Sequence, residues 1–249
     1  MFRTLIFCLS IFAVSAICSA DEKEPLKPAP IQVEANDWPW WRGPERNGIA
    51  NPDQNPPLKW SATENILWKS PIQGRGYSSP TVVGNRIFLA SADTENKTQF
   101  VLCYDRATGK QLWKTVVFTG GLSEKGNKKS THASSTVACD GTRVYINFIN
   151  NDAAYTSALT LDGRLVWQTK ITDYIIHQGY GSSPAIYQDL VIVSADNKGG
   201  GAIAAMNRAN GMLVWKIDRP KTPNYPSPII LEVAGKEQLL MTGCDLVTG

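Results

Sequence analysis

Three stretches of the chain decide its fold: DRATGKQLW at 105–113, TLDGRLVW at 160–167 and NRANGMLVW at 207–215. In each, a glycine lies four residues before a tryptophan, and the tryptophans are 54 and 48 residues apart. Glycine adopts a positive φ without strain, and Thr, Asp or Asn before it favours a tight hairpin. We therefore predict two antiparallel strands per unit, with the tryptophan at one fixed register of the returning strand. A large indole repeated in this way predicts packing between neighbouring units.

A second pattern lies upstream of each hairpin. The segments YSSPTVV at 77–83, ASSTVAC at 133–139 and GSSPAIY at 181–187 contain a Ser-Ser pair that opens a short apolar strand. A polar turn and another β-rich strand follow each of them. Each unit thus has four short antiparallel strands in about 40–50 residues, which is the period of a propeller blade. Because almost no segment has helical periodicity over a useful length, the predicted fold class is all-β.

These segments resemble the PQQ-like (pyrrolo-quinoline quinone) repeat, in which Asp-x-x-Thr-Gly-Lys-x-x-Trp joins the last two strands of a blade. Ser-Ser-Pro at 78–80 and 182–184 is similar to that family as well. The resemblance covers roughly residues 38–249 and implies a BamB-like or quinoprotein alcohol dehydrogenase-like β-propeller with four-stranded antiparallel blades. The middle unit departs from the pattern, because Leu161-Asp162-Gly163 forms a shortened turn without an upstream aspartate.

The repeats predict about three complete blades and a truncated fourth, at about 77–118, 132–170, 180–218 and 225–249. Leu67-Trp68-Lys69 resembles the last strand of a blade with no strands before it, which is what ring closure by a shared blade uses. Since relatives form rings of about seven or eight blades, we expect a partial ring, the N-terminal part of a longer protein. The alternative is a closed four-bladed ring, which would leave its fourth blade short of a strand.

The first residues predict export. Residues 1–20 place Arg3 before an apolar run and a small-residue end, the layout of a secretory signal peptide. The run is shorter than the roughly 20 residues of a membrane-spanning helix. Cys18 raises the alternative of lipid attachment, but isoleucine rather than a small residue precedes it. Residues 21–36 are polar and proline-rich and predict a tether, so that the propeller occupies 37–249. We expect a periplasmic or extracellular protein, peripheral to the envelope.

Charge and cysteine content exclude some classes of partner. The chain has 25 Lys and Arg against 22 Asp and Glu, a net charge of +3, which argues against nucleic acid. After the predicted signal peptide, the cysteines are Cys103, Cys139 and Cys244, without a Cys-x-x-Cys motif. Because three is odd, at least one is free or pairs outside this sequence. We interpret them as small buried hydrophobes in strands.

The stretch WPWWRGP at 38–44 places three indoles in four positions. It could be a stacking platform for a planar cofactor or a structural clasp. A platform would lie on the ring axis on inner strands, whereas this stretch precedes every repeat, and its Pro39, Gly43 and Pro44 suit a chain turning over a surface. We predict a clasp whose loss lowers stability.

Other candidate site residues have structural explanations. His132 and His177 each precede the first strand of a blade, and a joint catalytic or metal role would need them to converge. Ser134-Ser135 lies beside His132, but the pair recurs in every blade, so it indicates architecture rather than a nucleophile. The Gly-rich stretch Asp196–Gly201 leads into a strand, unlike phosphate-binding loops, which lead into a helix.

The connection Thr119–Thr131 is longer than its counterparts and carries Lys125, Lys128 and Lys129. Insertions on a rigid scaffold often bind partners. For this one we favour a solvated, disordered excursion.

The resemblance implies two functions. One is a non-catalytic protein-binding or scaffolding module, like the BamB-type lipoproteins that assist assembly of outer-membrane barrels. The alternative is a quinoprotein dehydrogenase, with PQQ and calcium on the propeller axis between a tryptophan and two adjacent cysteines, and an aspartate as base. The chain has no Cys-Cys pair, and Asp140, Asp162 and Asp189 lie in turns, where capping explains them. We predict the scaffold: no catalytic, cofactor-binding or metal-binding residue in this chain, PQQ and calcium only under the alternative, an envelope protein as partner, and no nucleic acid.

Overall fold

The computed structural model describes residues 26–249, and all regular secondary structure in that part of the chain is β-strand. Within these residues no helix is long and apolar enough to span a membrane. The predicted signal peptide, 1–20, lies outside the described residues, as do the first residues of the predicted tether.

Fifteen strands form four antiparallel sheets in chain order. The first sheet contains β1 (Thr81–Val83), β2 (Arg86–Asp93), β3 (Thr98–Asp105) and β4 (Gln111–Thr119). The second contains β5 (Ala138–Cys139), β6 (Arg143–Asn150), β7 (Ala153–Thr160) and β8 (Leu165–Asp173). The third contains β9 (Ala185–Tyr187), β10 (Leu190–Ser194), β11 (Gly201–Asn207) and β12 (Leu213–Arg219), and the fourth β13 (Ile229–Val233), β14 (Lys236–Gly243) and β15 (Leu246–Thr248).

Each sheet is a meander in which consecutive strands pair. The central strands β3, β6 and β11 are buried on both faces. This arrangement confirms the predicted all-β, PQQ-like propeller of four-stranded antiparallel blades, present as a partial ring with three complete sheets and a fourth of three strands.

The tryptophans join consecutive sheets. The indole of Trp113 lies against Gly163 of the next hairpin and donates its N–H to the carbonyl of Leu161 at 2.9 Å. Trp167 lies in the same way against Gly211 and donates to Arg208 O at 3.0 Å. The glycines must be glycines, since a Cβ on either would meet the indole. The predicted packing of units through the repeated tryptophan is confirmed.

Trp68 occupies the equivalent position before the first sheet. Its indole lies against Gly109 and donates to Arg106 O at 2.9 Å, and Ser70 donates to Gly109 O as Thr115 and Thr169 do in the following units. The residues around Trp68 therefore lie where the outer strand of a preceding blade would lie. No described strand pairs with them.

The inner strands β1, β5, β9 and β13 are linked through hydroxyl groups. The amides of Ser79, Thr136 and Ser183 donate to side-chain oxygens of Thr136, Ser183 and Ser227, respectively, at 2.9–3.0 Å. In the second sheet the equivalent pair is therefore Ser135-Thr136, one residue later than the Ser134-Ser135 pair that the sequence suggested. The repeat is architectural, because the hydroxyls of Thr136, Ser183 and Ser227 each accept from the unit before them.

Candidate functional site

The two edges of the sheets differ in what they carry. In each sheet, the hairpin between the first and second strands and the hairpin between the third and fourth strands lie on one edge, which we call the turn face. The hairpins between the second and third strands, and the links between sheets, lie on the opposite edge, which we call the connection face. This follows from the meander, since successive strands run in opposite directions.

On the connection face a narrow pocket opens at the edge of the second sheet, between the links that precede and follow that sheet. We call it the connection pocket; its volume is about 30 Å³, enough for about one water molecule. Its lining contains both polar and apolar residues and no carboxylate: Lys125, Ser130, Thr131, His132, Ser134, Ser135, Asn147, Phe148, Ile149, Ile176, Gly179 and Tyr180.

The connection pocket contains a buried hydroxyl without a partner. Ser135 is only 1% exposed, and its Oγ has no hydrogen-bond partner among the described residues. Its neighbours in the lining are already bonded: Asn147 Oδ1 accepts from Thr156, and Tyr180 donates to Ser194 O at 2.8 Å. A buried unpaired hydroxyl costs about 1–3 kcal/mol, which a bound polar atom would offset.

A wider cleft of about 350 Å³ shares Lys125, Ser130 and His132 with the connection pocket. We call it the basic vestibule. It lies between the β2–β3 hairpin of the first sheet and the link to the second, and its charged lining residues are Lys97, Lys125, Lys128 and Glu124. Three cations against one carboxylate make the vestibule favourable for an anion.

The lysine-bearing connection Thr119–Thr131 is solvated, as we expected, since residues 124–129 are exposed, but hydrogen bonds hold it against the protein. Asn127 donates from its backbone to Gln178 O at 2.9 Å and from its side chain to Gln178 Oε1 at 2.7 Å. At the base, the buried Gln99 donates to His132 O, and Asn150 donates to Gly120 O at 2.8 Å. The sequence reasoning missed this, because Gln99, Asn150 and Gln178 are distant in sequence and belong to other elements.

The structure does not bring the two histidines into one site. His132 lines the connection pocket, and burial lowers the pKa of its imidazole below the usual value, which favours the neutral form. His177 lies on the next link and shares a hydrogen bond of 3.1 Å with the Tyr225 hydroxyl. Ser134 hydrogen-bonds Thr131 at 2.9 Å, which is a loop contact rather than an activated nucleophile.

The cysteines and the Gly-rich stretch are structural. Cys103, Cys139 and Cys244 are free and buried; the first two lie in strands, as predicted, whereas Cys244 lies in the β14–β15 turn. Burial raises the pKa of the Cys103 and Cys139 thiols to about 12, so they are protonated and unreactive at neutral pH. Asp196, at the start of the Gly-rich stretch, binds Arg219 of the same sheet at 3.1 Å, and Arg219 donates to the Thr248 hydroxyl of the fourth sheet at 2.9 Å.

On the turn face, the segment WPWWRGP crosses the inner strands. Trp38 forms an antiparallel bridge with Val82 of β1, and Pro39 O accepts from the amide of Cys139 of β5 at 2.8 Å. Trp40 is 7% exposed and packs in the core between the second and third sheets. These contacts are those of a structural clasp. We had expected the segment to lie outside the blades, but it lies on the inner strands β1 and β5.

Residues 26–36 of the predicted tether also lie on the turn face. Gln32 donates its amide to Asp140 O at 2.7 Å, and Arg208 donates to Ala29 O at 3.0 Å. Together with the buried Arg208–Asp140 ion pair, they join the second and third sheets. A polar, proline-rich composition does not reveal such docking, because the hydrogen bonds are made by the backbone.

The sequence profile of a family described as outer membrane protein assembly factor BamB matches residues 97–248, more than half of the chain. The chain belongs to this BamB-like family of PQQ-like repeat proteins. A sequence search of curated proteins finds no match.

Solved structures of this fold include quinoprotein enzymes and BamB. A europium-containing methanol dehydrogenase is 16% identical with a TM-score of 0.50, covering 74% of this chain and 32% of its own. The quinohemoprotein alcohol dehydrogenase of Comamonas testosteroni is 18% identical with a TM-score of 0.49, covering 76% and 28%. BamB of Moraxella catarrhalis is 12% identical with a TM-score of 0.38, covering 63% and 56%. The chain of this BamB-like protein thus spans about a third of the length of the dehydrogenases, and such identities show the fold alone.

The buried carboxylates of the described residues already have protein partners. They are Asp37, Asp140 and Asp196. Asp37 accepts from the amides of Glu34 and Gly84, and the other two bind Arg208 and Arg219. Calcium needs several free oxygen ligands. In the part of the chain that the structure describes, no group of three or more His, Cys, Asp or Glu side chains could hold a metal ion.

Proposed function

We propose that this BamB-like chain is an exported, non-catalytic module that binds proteins of the cell envelope. The observation that carries the proposal is an exposed apolar segment before the first sheet, residues 49–72, which we call the peripheral segment. Its exposed large apolar side chains are Ile49, Leu58, Trp60, Ile66, Leu67 and Ile72. Leu58 and Leu67 are 94% and 93% exposed, the largest fractions among these side chains.

The peripheral segment is anchored and yet open to a partner. Trp68 and Ser70 hold its end against the hairpin of the first sheet. Exposed apolar patches of this kind mark protein interaction sites. No described strand pairs with residues 66–70, and strand addition along this edge would satisfy their backbone amides and carbonyls. The family is described as an outer membrane protein assembly factor, and such a role requires protein contacts.

A photo-crosslinking experiment tests the proposal. A photoreactive amino acid replaces Leu58 in the full chain, expressed in cells that carry the envelope partners, and a matched probe replaces Lys110 in the β3–β4 turn. We expect a discrete protein adduct from position 58, about tenfold stronger than from position 110. Trp60→Asp with Leu67→Asp should abolish it while leaving the thermal midpoint unchanged, since both side chains are exposed.

An adduct of equal strength from both positions, or one that survives the double substitution, would contradict a specific surface at the peripheral segment. The alternative, a quinoprotein dehydrogenase, predicts a change in quinone absorbance and dye reduction when PQQ and calcium are added to the full chain. We expect neither, because the buried carboxylates of the described residues are occupied by arginine and backbone partners.

A further inference from the structure

We propose that the connection pocket and the basic vestibule together form a binding site for a small organic carboxylate. The site belongs to the connection face, away from the exposed apolar segment of the proposed function, and it does not depend on that function. One carboxylate group of the ligand reaches Ser135 in the pocket, and the rest of the molecule lies in the vestibule among the lysines.

The unpartnered hydroxyl of Ser135 carries the inference. Its Oγ is buried, lines the pocket and has no partner among residues 26–249. The equivalent Ser78 in the first sheet bonds both the amide and the carbonyl of Ala90, at 3.1 and 3.0 Å. The hydroxyl of a serine at this position can therefore form hydrogen bonds to the backbone of its own sheet. In the second sheet it is left free to donate into the cavity.

The chemistry of the lining selects an anion. The pocket has a lysine ammonium and a free hydroxyl, but no carboxylate. The side-chain oxygen of Asn147 is already occupied by the Thr156 hydroxyl, and its amide donates to Ser182 O at 3.2 Å. A ligand that accepts hydrogen bonds is therefore matched better than one that donates them. Charge-assisted hydrogen bonds to an anion are also about twice as strong as neutral ones.

The dimensions select a carboxylate on a small molecule. The connection pocket holds about 30 Å³, so one oxygen atom of a carboxylate fits beside Ser135. The vestibule adds about 350 Å³, within the range of small-molecule sites. Lys97, Lys125 and Lys128 line that wider part, where further anionic groups of the ligand would lie. Asn127, hydrogen-bonded to Gln178, keeps the lysine-bearing connection folded over it.

Titration of the full chain with citrate at fixed ionic strength tests the proposal, with sulfate as the comparison. We expect saturable citrate binding and sulfate binding at least tenfold weaker. Amide resonances of the connection Thr119–Thr131 should shift with citrate. Ser135→Ala should weaken citrate binding about tenfold, because a hydrogen bond to a charged group is lost.

Two matched variants separate the site from general effects. Ser182→Ala removes the equivalent hydroxyl of the third sheet, which is also buried and unpartnered but does not line the pocket. It should leave citrate affinity unchanged. Lys125→Gln should weaken binding several-fold, whereas Lys110→Gln, an exposed lysine on the turn face, should not.

Three results would overturn the proposal. Non-saturable titration would mean that an ordered water alone occupies the pocket. Equal citrate and sulfate affinities would mean that the lysines attract charge without recognising a carboxylate. An equal loss from Ser135→Ala and Ser182→Ala would mean that the effect is not local to the pocket.

Discussion

Asp140 shows how one buried side chain joins two sheets. Its Oδ1 accepts from the amides of Thr142 and Arg143 at 2.8 and 2.7 Å, which closes the β5–β6 turn. Its other oxygen binds Arg208 of the third sheet and accepts from the Tyr145 hydroxyl at 2.8 Å. Desolvation of a buried ion pair is costly, so these additional hydrogen bonds are what make the pair tolerable. Asp140 thus caps the turn, as predicted, and also joins the second sheet to the third through Arg208.

Trp40 and Trp41 are adjacent but differ in burial, so they should differ in their effect on stability. Trp40 is 7% exposed and packs against core residues of the second and third sheets, whereas Trp41 is 41% exposed. We expect Trp40→Ala to lower the free energy of unfolding by about 3 kcal/mol. Trp41→Ala should lower it by less than about 1 kcal/mol. Denaturant titration, with the midpoint and slope both fitted, measures the difference.

A conservative variant controls for the buried indole N–H. The Nε1 atom of Trp40 has no hydrogen-bond partner among the described residues. Trp40→Phe removes that unpaired donor together with part of the ring, so the two effects offset each other and little stability should be lost. If Trp41→Ala destabilised the protein as much as Trp40→Ala, the clasp would act through its conformation rather than through the buried ring.

At the scale of elements, the hairpins between the third and fourth strands of the first three sheets are capped by different side chains. All three nevertheless contain a glycine with positive φ. Asp105 accepts from the Thr108 amide at 2.8 Å, and Asn207 accepts from the Ala209 amide at 2.8 Å. In the shorter middle turn, the Thr160 hydroxyl accepts from the Arg164 amide at 3.0 Å. Each cap presents a positive-φ glycine to the preceding tryptophan. The departure of the middle unit from the motif therefore changes the turn and leaves the contact between sheets intact.

Gly163 and Gly84 form a matched pair for testing this contact. Both have positive φ, +88° and +55°, but a Cβ on Gly163 would lie 2.7 Å from the Trp113 ring, while Gly84 has open space around it. Gly84→Ala should cost about 1–2 kcal/mol from backbone strain alone. Gly163→Ala should cost at least about 3 kcal/mol, because the indole must also move. Thermal and denaturant unfolding of both variants measure the two costs.

A double-mutant cycle of Gly163→Ala with Trp113→Ala isolates the contact. Once the indole is removed, the glycine substitution should cost only its backbone strain, so the two changes should couple by more than about 1 kcal/mol. Additive effects would show that the glycine acts through turn conformation and not through the tryptophan.

At the scale of the whole molecule, the sequence predicted what repeats and missed what does not. The hairpin glycines, the tryptophans and the serines recur at fixed spacing, so the all-β class and the blade pattern could be inferred from them. The contacts of Asn127 with Gln178, and of Gln32 with the carbonyl of Asp140, occur once and between distant segments. Such contacts leave no periodic signal.

The candidate site was predicted least well for the same reason. His132 and Lys125 were noticed in the sequence, but the buried Ser135 was interpreted only as part of a repeated pair. Its distinction from Ser78 is a missing hydrogen bond, which depends on the surrounding strands and not on residue type. Only the structure separates a repeated serine that is satisfied from one that is not.

The segment 26–36 should stabilise the ring by covering the junction of the second and third sheets. Removing residues up to Asn36 deletes the hydrogen bonds that Ala29 O and the Gln32 amide make to Arg208 and Asp140. We expect a loss of about 2 kcal/mol, at about 1 kcal/mol for each of the two hydrogen bonds. Amide hydrogen exchange should become faster at Thr142, whose amide donates to Asp140, while the β2–β3 ladder of the first sheet keeps its protection.

Gly141→Ala provides the control for that truncation. A Cβ on Gly141 would overlap the backbone of Gln32, and its φ of +85° adds strain that does not depend on the segment. The substitution should therefore be far more destabilising in the full chain than in the truncated one, because truncation removes the overlap and leaves only the strain. An equal cost in both chains, or unchanged exchange at Thr142 after truncation, would show that the segment lies on the surface without contributing to the joint between the sheets.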